Sequence, residues 1–172
     1  MHYMLVVLVA CMIANVATAH DDDGERIRIK GTSIGLFTQF NNLGLSQGRV
    51  VSDVGLDGTF EITVGDIIRT GRFSFPHLLV ANLEFPPEGG PPTFLSGHVA
   101  GATVWFFDDG VVCDGPLSGD FDETGGNLLA KGKLDCTDGT RLKIDVQDVE
   151  VIPGVSVESK IRGKLFIPDE DD

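Results

Sequence analysis

Tyrosine is nearly missing from this chain. There is one in 172 residues, at Tyr3, and one tryptophan, Trp105, against eleven phenylalanines. Sugar-binding and protein-binding surfaces favour Trp and Tyr, whose rings join an apolar face to a polar handle. A chain rich in Phe and poor in Tyr places its aromatics in a core. That speaks against carbohydrate binding and is neutral toward a barrel that holds an apolar ligand. Basic residues are also few, 13 Lys and Arg against 26 Asp and Glu, for a net charge of −13. The body shows no basic stripe along its sequence, so nucleic acid and anionic membranes are not expected as partners. Catalytic signatures are missing as well. There is no Gly-x-Ser-x-Gly elbow, no His-Glu-x-x-His and no phosphate loop. Carboxylate pairs abound in any acidic chain and single out no glycosidase site. No enzymatic activity and no cofactor is expected.

What is present begins with an address. Leu5 to Val16 is an apolar run too short to span a bilayer, and Ala17-Thr18-Ala19 has the small-x-small pattern of a cleavage site. Residues 1–19 read as a secretory signal peptide, which predicts a secreted or periplasmic protein. Leu8-Val9-Ala10-Cys11 offers the alternative of a lipoprotein anchored through Cys11. The acidic stretches at 20–26 and 168–172 read as solvated tails around a single domain at 27–167. Asp21, Asp22, Asp23 and Glu25 lie in the first, and Asp169, Glu170, Asp171 and Asp172 in the second. Subtracting those eight acids leaves −5 for the body. No second apolar segment is long enough to form a transmembrane span. Two cysteines remain after cleavage, Cys113 and Cys136. In an oxidising compartment they are expected to form a disulfide.

Apolar residues beyond the leader recur at every second position, the strand period, and 22 glycines punctuate the chain at turn-like intervals. Arg49 to Val64 reads as a hairpin turning at Asp57-Gly58. Ile67 to Phe75 and Leu78 to Phe85 read as two strands parted by Pro76-His77, followed by a rigid loop from Pro86 to Pro92. Val104-Trp105-Phe106-Phe107 is apolar on both faces. After Val146 the alternation slips, since Asp148 stands where an inward residue is due, and a bulge near Gln147 is expected. The last strand alternates most regularly and carries Gly163, as a barrel corner would. About nine strands with short polar connections and no helical crossovers predict an all-β fold. An antiparallel β-barrel suits the long strands best, and a two-sheet β-sandwich is the alternative.

Four residues are candidates for a metal. His20 would be the first residue after cleavage, and its amine and imidazole could form a copper-binding histidine brace if His77 or His98 supplied a second ring. His98 otherwise reads as a hydrogen-bonded histidine in or near the core, and His77 as an exposed residue at a strand corner. Asp120 and Asp122 open a stretch with oxygen donors at calcium-loop spacing. Lys131 stands where that loop needs its bidentate glutamate, so a hairpin loop from Asp122 to Asn127 is the plainer reading. The expectation for function is a secreted, non-enzymatic barrel that binds a small apolar ligand or a partner protein. The alternatives are a structural protein that self-associates in a matrix, envelope or filament, and a copper protein or oxidase built on His20. Eleven Phe in so short a chain predict a largely filled barrel interior, which would put any binding site at a rim.

Overall fold

The computed structural model describes residues 25–87, 89–122, 128–152 and 154–168. They form eight strands: β1 (Glu25–Ser46), β2 (Arg49–Val64), β3 (Ile67–Glu84), β4 (Thr93–Phe107), β5 (Val112–Phe121), β6 (Leu129–Cys136), β7 (Arg141–Ile152) and β8 (Ser156–Ile167). Each pairs antiparallel with the next, and β8 pairs with β1, so the sheet closes into an up-and-down barrel. Closure leaves no free sheet edge. The barrel is the expected fold, with one strand fewer than the estimate. β1 takes in Glu25 and Arg26, which the sequence suggested as tail.

Two expected breaks in the chain are continuous strand. Asp57-Gly58 is no turn, because β2 runs straight through it, with Gly58 paired to Gly35 on one side and Phe73 on the other. A Cβ at Gly58 would stand 2.1 Å from the carbonyl oxygen of Ile34 and 2.7 Å from the Phe73 ring. This glycine permits close approach of two strands rather than a reversal. Pro76-His77 likewise lies inside β3. The β3–β4 ladder skips from Ser74↔Val104 to His77↔Gly101, and the proline, which has no N–H to donate, falls in that gap. The chain reverses instead at short connections such as Gln47-Gly48, where both residues have positive φ.

Inward side chains alternate along every strand. One end of the interior, near the paired ends Glu25 and Ile167, is solid. Ile29, Ile62, Leu134, Leu142 and Ile161 are almost completely buried there. Phe60 lies 4.5 Å from the Trp105 ring and 4.9 Å from Phe107, centroid to centroid. Cys113 and Cys136 face each other across β5 and β6 with their sulfurs at bonding distance, the expected disulfide. On the chain-entropy argument a loop of 23 residues closed in this way is stabilised by roughly 3 kcal/mol.

The outer surface holds a second departure from expectation. Basic residues that are scattered in sequence gather on the outside of β6, β7, β8 and β1, so the folded body does carry a basic face. Period-two alternation sends every other residue outward, and strand pairing then aligns cations that lie more than a hundred residues apart.

Candidate functional site: a hollow apolar end of the barrel

The other end of the barrel is not filled. Above Trp105 the interior opens into a cavity of about 390 Å³ that reaches solvent at the end where β3 gives way to β4. Its wall is mostly ring and aliphatic carbon, from Phe37, Phe73, Phe75, Val99, Trp105, Leu117 and Val157 among others. Phe94 and Phe121 stack at 5.3 Å near the mouth. Gly97 makes room for the Phe121 ring, which a Cβ there would meet at 2.1 Å. The expectation of a filled interior therefore holds for one half only. Phe60 and Phe107 pack against Trp105 and close the solid half, while the other rings stand round the wall of the hollow half and Ser33, Thr103, Ala130 and Ser159 add little bulk between them.

Few polar groups enter the cavity, and each has an identifiable state. Asp148 is 8% exposed and accepts a hydrogen bond from Ser159 Oγ at 2.7 Å. Burial disfavours its charged form and pushes its pKa up to about 6, against the pull of the Ser159 hydroxyl. Ser33 is the cross-strand neighbour of Ser159, and Ser159 of Asp148, so three polar side chains form one rung across β1, β8 and β7. On β3, four places round the ring from β7, stands His77. Its Nδ1 lies 2.9 Å from the carbonyl oxygen of Phe75, which can only accept, so Nδ1 carries the proton. Burial lowers its pKa, although the Phe75 carbonyl and the Asp53 charge pull the other way. The neutral ring thus keeps an unprotonated Nε2, stacked against Phe75 at 4.3 Å. Thr103 donates to the Ser74 carbonyl oxygen at 3.1 Å and is satisfied within the wall.

The two histidines exchange the places that the sequence suggested. His77, expected at an exposed corner, is buried in the cavity wall. His98, expected near the core, is on the outer face of β4, where its Nδ1 contacts Asp120 Oδ1 at 2.7 Å. The cause is the phase of β4: Val99, Thr103, Trp105 and Phe107 point inward, which turns His98 out. His98 and Asp120 are thus brought together as an exposed pair, without a third ligand. Asp122 follows the end of β5. Among the described residues no group of three or more His, Cys, Asp or Glu could hold a metal ion. His20 lies outside the described residues, as does most of the loop from Asp122 to Asn127.

Asp148 was visible in the sequence as an interruption of the alternation, but the slip comes after it. The register shifts between Asp148↔Ser159 and Glu150↔Glu158, so Val149 is the extra residue and Asp148 keeps its inward phase. Val151 then returns to the cavity wall. Exposed apolar side chains, Phe40, Leu43, Val149, Ile152 and Val155, belong to the strand ends and connection at the mouth. Among the described residues no helix is long and apolar enough to cross a membrane. No family model, no curated protein and no solved structure matches this chain.

Proposed function

We propose that the protein is an exported, non-enzymatic barrel that binds one apolar small molecule in its open end. The observation that carries this reading is the cavity of about 390 Å³, which falls in the ~300–1,000 Å³ range of small-molecule sites. Its wall is overwhelmingly apolar and its polar groups are few, the usual division between affinity and orientation. Those groups also specify the ligand. His77 Nε2 and the Asp148 carboxylate are both acceptors at neutral pH, so the complementary molecule is an apolar skeleton with a hydroxyl-type donor. The disulfide is compatible with the oxidising compartment that residues 1–19 suggest. The apolar rim supports ligand entry, and the same rim would support self-association in the structural alternative.

Native mass spectrometry of gently purified protein separates the two. A monomer carrying one extra mass of a few hundred daltons is expected, and the mass should be lost in an Ala81→Phe/Val151→Phe variant, whose new rings fill the half-buried mouth. Ligand-free polymers that grow with concentration would replace this reading with assembly.

A further inference from the structure

Four cations lie side by side on the outer wall away from the cavity. Strand pairing aligns Arg28 of β1 with Lys164 of β8, Lys164 with Lys143 of β7, and Lys143 with Lys133 of β6. Two residues along, a second rung aligns Lys30, Arg162, Asp145 and Lys131. Neighbouring strands are about 4.8 Å apart and alternate residues about 6.8 Å, so seven cations occupy a patch of roughly 14 by 7 Å. The two rungs flank a trough of about 880 Å³ on the outer wall, with cations along both sides.

Nothing in the fold calls for this arrangement. Like charges directly opposite across a sheet destabilise it. Among the described residues Arg28, Lys30, Lys131, Lys133, Arg162 and Lys164 form no ion pair. Lys143 is engaged, with its ammonium 4.4 Å from the Phe166 ring. More than half of the basic residues of a chain with net charge −13 are thus held together at a cost in repulsion. A linear polyanion laid along the trough would relieve it.

We propose that this trough binds a sulfated polysaccharide, independently of what the cavity holds. Three features choose that class. No aromatic ring lines the trough, so unpaired bases would find nothing to stack on. The cations flank a recess in which Pro116 is the sole exposed apolar side chain among the lining residues, whereas a bilayer surface would meet its rims alone. Asp145 sits between Arg162 and Lys131 and, with Ser118 beside Lys131, offers hydrogen-bonding partners for sugar hydroxyls. A bare phosphate chain has no use for that carboxylate. Recognition by charge also suits a chain without exposed Trp or Tyr in its described part, because sulfate groups replace ring stacking as the source of affinity.

The test is calorimetric titration of the full chain with a heparin decasaccharide at about 50 mM salt, beside duplex DNA of matched charge, vesicles containing phosphatidylserine, and uncharged dextran. Heparin should bind at micromolar concentration or below, and its affinity should fall steeply with salt. Lys133→Ser/Arg162→Ser/Lys164→Ser should weaken it about 30-fold or more. Arg49→Ser, at the exposed first residue of β2 and away from the trough, should change nothing. The triple variant should melt at the wild-type temperature or above it, since repulsion has been removed. No heparin binding at low salt, or undiminished binding by the folded triple variant, overturns the site. DNA or vesicles binding as tightly as heparin overturns the class of ligand.

Discussion

Replacing Gly58 by asparagine is expected to destabilise the barrel by about 3 kcal/mol or more, enough to leave much of the protein unfolded. The size of this effect separates two local structures. In a two-residue hairpin turn, asparagine is among the best substitutes for glycine, because both accept positive φ. Asp57-Gly58 would then tolerate the change almost freely. In the barrel, Gly58 lies within β2 between two paired strands, and its φ is not among the positive ones. Any Cβ there would stand 2.1 Å from the Ile34 carbonyl oxygen and 2.7 Å from the Gly35 Cα. These contacts are backbone and cannot be relieved by a rotamer change, so β1 and β2 must separate. Denaturant unfolding of Gly58→Asn beside wild type measures the difference. A loss below about 0.5 kcal/mol would restore the hairpin and remove the continuous β2 on which the barrel depends.

Asp148→Asn should act in the opposite direction, with a sign that depends on pH. Burial raises the Asp148 pKa from the ordinary carboxylate range near 4 to about 6. The folded chain therefore binds this proton more tightly than the unfolded chain does. The contribution of Asp148 to stability is complete below about pH 4, shrinks as pH rises to about 6, and beyond that leaves an ionised carboxylate that costs the fold about 3 kcal/mol. Asparagine has the same shape, still accepts from Ser159 Oγ, and carries no charge. At pH 7.5 the variant is expected to be more stable by roughly 2–3 kcal/mol, and at pH 4 the two should be equal. His77 works the other way, since its lowered pKa means that stability is lost as pH falls and the buried ring must charge. It is present in both proteins, so the difference between their stability curves isolates Asp148. A variant no more stable than wild type at pH 7.5 would show that the carboxylate is solvated or paired, and the cavity wet.

Much of the architecture could be read from alternation alone. β8 carries Val157, Ile161 and Leu165 on one side and Lys160, Arg162 and Lys164 on the other, and the structure keeps that division. The errors arose where a residue has two uses. Glycine after aspartate marks turns, yet at Gly58 the same residue serves a close strand contact; only the pairing partners, Gly35 and Phe73, distinguish them. Proline marks breaks, yet Pro76 occupies a gap in a ladder whose register no local sequence states. Asp148 offered a signal, a polar residue where an apolar one was due. The alternation reads the same whether the bulge precedes or follows it, and the physical preference for keeping a carboxylate out of a core pointed the wrong way. A functional cavity is a place where that preference is overridden. The basic trough was least visible of all, because Arg28 and Lys164 meet only when β8 closes against β1.

The central claim is that the space above Trp105 is hollow and takes an apolar guest. Trp105 is the sole tryptophan, buried at 3% exposure in the cavity wall, and Tyr3 is the only tyrosine in the chain. Its emission therefore reports on the cavity with little competing signal. Titration with a brominated long-chain alcohol, whose bromine quenches an indole on contact, is the direct measurement. Saturable quenching at one alcohol per protein, abolished by Ala81→Phe/Val151→Phe, is the predicted result. Emission that stays unchanged in the folded wild-type protein up to the solubility limit of the alcohol would contradict it.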